Sequence, residues 1–174
     1  MLNKVDILKS KKIEKQAKAL YRTAFPKEER LPWWLMRLNA HRKGIDLTAW
    51  MEDGRFQGFT SSVTVEGLHF LLFFAVDSPG QGYGSAILSA LREEYGNIAL
   101  NVELLEETAP NYPQRLRRFA FYQKNGFTDT GHDVWEVGGR FRILATQPLD
   151  IKQYKKIFRK LSLGLWDVKM EKIL

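Results

Sequence analysis

The sequence predicts a mixed α/β (α+β) chain: a central sheet, mostly antiparallel, with one parallel βαβ crossover and flanking helices. Three observations lead there. Residues 47–76 read as three strands, LTAWME, RFQGFTSSVTV and LHFLLFFAV, joined by the two-residue turns Asp53-Gly54 and Glu66-Gly67. The chain then passes from strand through the alternating glycines Gly80, Gly82 and Gly84 into a helical pattern, in the stretch FFAVDSPGQGYGSAIL. After that helix comes another strand, NIALNVE over 97–103, and two strands separated by a helix are expected to pair in parallel.

The other elements follow from local signals. Ser10 caps a helix in which Ile13, Ala17, Leu20 and Ala24 recur at helical spacing, ending before Pro26. Pro32 opens a second, short helix from Trp33 to about residue 41, with Gly44 past its end. Ile87, Leu88, Leu91 and Tyr95 make one apolar face of the helix at 85–95. A helix over 114–125 closes at Gly126, and two strands follow around a Gly138-Gly139 turn. The last helix, from Ile151 to about residue 163, carries Ile151, Tyr154, Ile157, Phe158 and Leu161 on its apolar side. With 174 residues and no linker or repeat, the expected organisation is a single domain over 1–174, with 151–174 as a C-terminal helical extension.

Composition narrows the function. The absence of cysteine excludes disulfides, thiolate zinc sites and a cysteinyl acyl-enzyme. His41, His69 and His132 are unclustered, and no metal site is expected. An excess of 27 Lys and Arg over 20 Asp and Glu gives +7, which favours an anionic partner such as nucleic acid, a phosphorylated cofactor or an acidic membrane surface. The opening segment, MLNKVDILKSKK, lacks the apolar core of a signal peptide, so a cytoplasmic location is expected. The longest apolar run, LHFLLFFAV, falls far short of the ~20 residues of a membrane helix and reads as a buried strand.

Alternating glycines next to a helix start suit a bound anion, because they bring main-chain N–H groups close to it. A Walker loop would need lysine and then Ser or Thr after the last glycine, whereas Gly84 is followed by Ser85-Ala86. A dinucleotide fingerprint finds an acidic partner in Glu103, but the spacing here is GxGxG and only one crossover follows. A plain strand-to-helix turn needs fewer glycines than this.

FFAVDSPGQGYGSAIL resembles the acetyl-CoA loop of the GNAT superfamily of N-acetyltransferases, and RRFAFYQKNGFTDTG, over 117–131, resembles that family's later helix with its Tyr and Gly-Phe. With the meander, the resemblance covers about 47–141 and implies a GNAT-like fold and an acetyl-CoA-dependent N-acetyltransferase. The implied pyrophosphate cradle is the amides of Gln81, Gly82, Tyr83, Gly84 and Ser85. The pantetheine arm would pair with the strand edge at Phe74, Ala75 and Val76, and an amide of Ala75 or Val76 would serve as oxyanion donor. Tyr122 matches the family's tyrosine acid. Glu103, at a strand end, is the candidate base, ahead of Glu106 and Glu107. Where the family carries Gln or Arg this chain has Pro79, and Arg115 or Arg118 are candidate substitutes.

The implied reaction is direct attack of a primary amine on acetyl-CoA in a ternary complex; the alternative is a non-catalytic GNAT-like module that binds a coenzyme A species or RNA. The acceptor is a small-molecule or peptide amine of unspecified identity, and self-association into a homodimer is left open. LPWWLM, with Glu28 and Glu29 before it, would flank the acceptor cleft, while core packing and solvation are the plainer readings of those residues. Lys152, Lys155, Lys156, Arg159 and Lys160, with Lys11, Lys12 and Lys15, offer a nucleic-acid surface, for which a solvated helix face is the simpler account.

Overall fold

The computed structural model describes residues 1–136, 139–165 and 167–173. In chain order the elements are β1 (Leu2–Asp6), α1 (Lys11–Ala24), α2 (Trp33–Ala40), β2 (Ile45–Glu52), β3 (Arg55–Val65), β4 (Leu68–Val76) and α3 (Tyr83–Tyr95). Then come β5 (Ile98–Glu103), α4 (Tyr112–Lys124), β6 (Thr128–Glu136), β7 (Gly139–Ala145), α5 (Ile151–Leu161) and β8 (Lys169–Lys172). The strands follow the hydrogen-bonded order β1-β2-β3-β4-β5-β7-β6-β8, antiparallel throughout except for the parallel pair β4 and β5. The meander, the crossover and the mixed α/β class are those the sequence predicts.

By its contacts the chain divides into two units, Met1–Thr64 with Leu71–Glu94 and Val65–Phe70 with Tyr95–Leu174, so that β4 contributes to both. In the first unit β1 pairs antiparallel with β2, from Leu2 opposite Glu52 to Asp6 opposite Thr48. The Ser10 hydroxyl accepts a hydrogen bond from the Ile13 N–H at 3.4 Å, which starts α1 where the sequence places it. Ala17 and Tyr21 then face a core that includes Trp33, Met36, Leu47, Ala49, Phe59, Phe73 and Ala75. Tyr21 is its hub, with ring centroids 4.9 Å from Phe73, 5.7 Å from Trp33 and 6.0 Å from Phe59. Its hydroxyl donates to the Leu31 carbonyl at 3.1 Å, and burial pushes its pKa up to about 12. Trp33 and Trp34 separate as their spacing requires: Trp33 is buried and donates to Glu14 at 2.9 Å, while Trp34 is 65% exposed.

In the second unit β5 pairs antiparallel with β7, from Ala99 opposite Ala145 to Glu103 opposite Phe141, and β7 pairs with β6. Asp150 caps α5 by accepting from the Lys152 N–H at 2.8 Å. Tyr154, Ile157 and Phe158 on the buried side of α5 join Ile98, Leu100, Ile143 and Leu144 in the core. Two strands were not anticipated from the sequence. β1 and β8 are both sheet edges, β8 pairs with β6, and the C-terminal segment expected to be helical therefore also carries a strand. Val137 and the Gly138 half of the expected β6–β7 turn lie outside the described residues.

β3 and the end of β4 approach closely at Gly58. A Cβ built there meets the Ala75 carbonyl oxygen at 2.5 Å and the Val76 Cα at 3.0 Å. The obstruction is backbone, which cannot swing aside as a side chain can. Gly58→Ala is therefore expected to destabilise the protein by about 1–3 kcal/mol, the range for overpacking, in urea denaturation. Parent-like stability would mean that the strands are not held at this distance.

Candidate active site

The glycine loop leads into α3 earlier than the sequence suggests. The helix starts at Tyr83 rather than at Gly84 or Ser85, because Ala86 N–H donates to the Gly82 carbonyl at 3.1 Å as the first intrahelical bond. The amides of Tyr83, Gly84 and Ser85 are then first-turn donors without an intrahelical acceptor, and they sit at the positive end of the helix. Gly80 and Gly82 take φ of +86° and +84°, a region that L side chains rarely enter, and no heavy atom lies within 4 Å of a Cβ built at either position. Backbone conformation, not crowding within the chain, selects glycine there. Gln81, between them, is exposed.

Tyr83 is tied down by a bond that no sequence signal announces. Its hydroxyl donates to Glu52 Oε2 at 2.8 Å, joining the start of α3 to the end of β2, and that hydrogen bond raises the phenol's pKa.

The strand before the loop presents two different edges. Asp77 N–H donates to the Gln57 carbonyl at 2.8 Å, and the Ala75 carbonyl faces Gly58, so Ala75 and Asp77 turn their backbone groups toward β3. By the two-residue alternation of a strand, the N–H and C=O of Phe74 and Val76 point away from β3. The side chains alternate too: Phe73 and Ala75 enter the core, while Phe74 and Val76 are half-buried.

In the second unit, Arg115, Arg118 and Tyr122 recur at i, i+3 and i+7 and so share one face of α4. Both arginines bind Glu103 at the end of β5. Arg115 Nε lies 3.2 Å from one carboxylate oxygen, and Arg118 forms an ion pair with the other. Asn111, at the cap of α4, donates to the same carboxylate at 3.0 Å, and Arg115 also donates to the Leu104 carbonyl at 2.9 Å. Glu103, with a side chain 13% exposed, is thus the anchor that fixes α4 against β5. The two arginines considered as substitutes for the residue missing at Pro79 are engaged here. Of the alternative acids, Glu106 lies 3.7 Å from Arg115, and Glu106 and Glu107 are exposed in the loop after β5.

Tyr122 packs its ring against Phe121 and Phe127, with centroids 5.3 and 5.7 Å away. Its hydroxyl has no hydrogen-bond partner among the described residues. Burial pushes the phenol up to about 12, and the neighbouring Arg118 guanidinium acts in the opposite direction. The predicted donor residues Phe74, Ala75, Val76 and 81–85 thus belong to the first unit, and Tyr122 and Glu103 to the second.

Other candidate features are structural. Lys156 pairs with Glu66 at 2.6 Å and Arg159 with Asp167 at 3.0 Å, as expected of a solvated helix face. His69 is buried and stacked on Tyr95 at 3.7 Å, and no group of three potential metal ligands exists among the described residues. No described helix is long and apolar enough to cross a membrane.

No protein-family model and no curated protein matches the sequence. Solved structures do match. A protein assigned to the GNAT acetyltransferase family from Bacteroides thetaiotaomicron aligns over 95% of this chain and 99% of its own, with TM-score 0.72 and 22% identity. The ribosomal-protein-S18-alanine N-acetyltransferase from Escherichia coli aligns over 86% of this chain and 96% of its own, at TM-score 0.61 and 20% identity. The PaiA N-acetyltransferase from Thermoplasma acidophilum, in complex with coenzyme A, aligns over 84% and 98%, at TM-score 0.56 and 16% identity. The chain has the GNAT fold.

Removing Glu103 leaves two partly buried guanidinium groups facing each other. Glu103→Ala is expected to cost about 2 kcal/mol in chemical denaturation, between the value of an exposed pair and that of a fully buried one. A loss below ~0.5 kcal/mol would mean that these ion pairs do not hold α4 to β5.

Proposed function

We propose that the chain is an N-acetyltransferase that moves the acetyl group of acetyl-CoA to a primary amine by direct attack, with donor and acceptor bound together. The observation that carries this reading is the start of α3, where amides without an intrahelical acceptor follow two left-handed glycines directly after a strand, in a chain with the GNAT fold. These amides fit a pyrophosphate, and the open space at Gly80 and Gly82 leaves room for one. The outward-facing amides and carbonyls of Phe74 and Val76 fit the amide-bearing pantetheine arm as another strand would. Sequence reasoning left the oxyanion donor open between Ala75 and Val76; strand alternation favours the Val76 N–H.

The donor supplies an activated acetyl thioester. In its aminolysis a C–N bond forms, the C–S bond breaks, the amine gives up a proton and the thiolate leaves. We assign the amine proton to Glu103, acting directly or through a water, on the condition that the incoming ammonium or its water displaces Arg118 from the carboxylate. The role of Tyr122 follows from magnitudes. A phenol near 12 transfers its proton to a thiolate whose thiol titrates near 8.5 only against a deficit of roughly three orders of magnitude. Tyr122 therefore donates a hydrogen bond to the sulfur as charge develops, and full protonation of the thiolate follows departure. Arg118 stabilises any negative charge that the phenol acquires. The N-acetyltransferases among the similar structures support an amine acceptor as a class.

Thiol release from acetyl-CoA across a panel of amines, peptides and aminoglycosides tests the activity. Release with at least one acceptor is the expected result. Acetyl-CoA is also expected to raise Tm by mass action and NADH is not. Coenzyme A binding without release for any acceptor would favour the non-catalytic module, and stabilisation by NADH alone would favour a dinucleotide site.

Tyr122→Phe isolates the donor. Loss of one hydrogen bond to a developing charge is expected to lower kcat by about 10- to 100-fold, with coenzyme A affinity and Tm near the parent's. Because the active form is the protonated one and its pKa is raised, this contribution is expected to persist through pH 10 and to fade toward 12. Parent-like turnover in the Phe variant would return Tyr122 to a packing role.

A further inference from the structure

We infer that Arg55 and Lys12 clamp a phosphate group of the coenzyme A donor and supply the charge that Pro79 withholds from the loop. The inference rests on the donor reading above and names residues that the loop pattern does not.

A cleft of about 750 Å³ opens in the first unit beside the glycine loop. Its walls come from three separate segments: Lys12 at the start of α1, Arg55 and Gln57 at the start of β3, and Ser78, Gln81 and Tyr83 around the loop. The volume is that of a cofactor-sized site. Side chains that can donate hydrogen bonds, among them Ser10, Gln16, Gln57 and Gln81, predominate in its lining. Neither Arg55 nor Lys12 belongs to an ion pair among the described residues, and both are exposed. In this they differ from Arg115, Arg118, Lys156 and Arg159, all of which have carboxylate partners.

Two nearby acids, Glu52 and Asp53, are not part of the cleft lining. Glu52 accepts the Tyr83 hydroxyl at 2.8 Å and lies 3.7 Å from the N-terminal ammonium, which is also 3.8 Å from Asp53. Asp77 lines the cleft, but no cation stands within ion-pair distance of it among the described residues. Among the lining residues themselves, Lys12 and Arg55 stand against Asp77 alone, so the lining is net positive, beside Tyr83 at the start of α3. A guanidinium matches two phosphate oxygens at once, and a flexible ammonium adds a point charge. Pro79 brings neither charge nor N–H.

Binding of coenzyme A and of 3′-dephospho-coenzyme A, measured by titration calorimetry on the parent, Arg55→Ala, Lys12→Ala, the double variant and Arg55→Lys, tests the inference. Arg55→Ala is expected to weaken coenzyme A about tenfold or more and Lys12→Ala about threefold, with Arg55→Lys recovering part of the loss. All four variants are expected to melt like the parent without ligand. A loss seen with both ligands assigns the clamp to the pyrophosphate, and a loss confined to coenzyme A assigns it to the 3′-phosphate. Parent-like affinity of the double variant for both ligands overturns the clamp alone. Failure of the parent to bind either ligand overturns the donor reading, and the clamp with it.

Discussion

Everything proposed for this chain depends on three amide groups at the start of α3 that have no acceptor within the helix. A helix must leave its first donors unpaired, and the fold decides what they meet. Here the chain enters the helix from β4 through two residues at positive φ, which turns it sharply enough that the donors directly follow a strand end. The approach of β3 at Gly58 sets where that strand end lies, and the bond from Tyr83 to Glu52 holds the first residue of the helix to β2. A loop of this kind is held at its ends while its middle, from Ser78 to Gly82, stays exposed. That combination suits a ligand bound through backbone, since the donors are preorganised and no side chain has to move away from them.

Charge is distributed by the same logic. A formal charge of +7 advertises an anionic partner, but several arginines are engaged in holding the structure together. Arg140 and Arg142 flank the buried Asp133, Arg142 reaches Asp129 as well, and Arg115 and Arg118 converge on Glu103. Burying a carboxylate such as Asp133 costs several kcal/mol unless it is paired, so these arginines satisfy acids of the fold before any ligand arrives. The charge left for binding is that of residues with no such duty, and in the first unit Arg55 and Lys12 are of this kind.

The elements legible in the sequence are those that bury apolar side chains. The meander strands are apolar or β-branched runs between two-residue Asp-Gly and Glu-Gly turns, and α1, α3 and α5 carry apolar residues at helical spacing. Their caps at Ser10 and Asp150 use side chains that the sequence makes visible. β1 and β8 carry no such signal, for a physical reason. LNKVD and KMEK are polar edge strands with mainly exposed side chains, defined by backbone pairing to β2 and β6 and not by alternation. The site divides in the same way. Glycines at positive φ and the tyrosine motif can be read from residue types, whereas Gly58, the Tyr83–Glu52 bond and the occupation of Glu103 by two arginines are products of long-range packing. Glu103 illustrates the limit best: a strand-end carboxylate looks free in sequence, and its partners lie on a helix that begins nine residues later.

Tyr122 is where packing and function can be separated by energy. Its ring lies among Phe121 and Phe127, an environment that phenylalanine would satisfy equally well, so the hydroxyl is what has to be explained. Tyr122 is half-buried, so leaving its hydroxyl without a protein partner costs little, but packing alone does not call for it. The raised pKa reports desolvation and keeps the group a donor across the neutral range. A donor that is protonated, partly shielded from water and free of internal acceptors can bind an anionic atom more strongly than water can. The sulfur of a departing thiolate is such an atom, and its negative charge appears only as the reaction proceeds. In the proposed reaction such a hydrogen bond strengthens as charge reaches the sulfur, so it would act in the transition state and not in the ground state, where it would merely tighten binding.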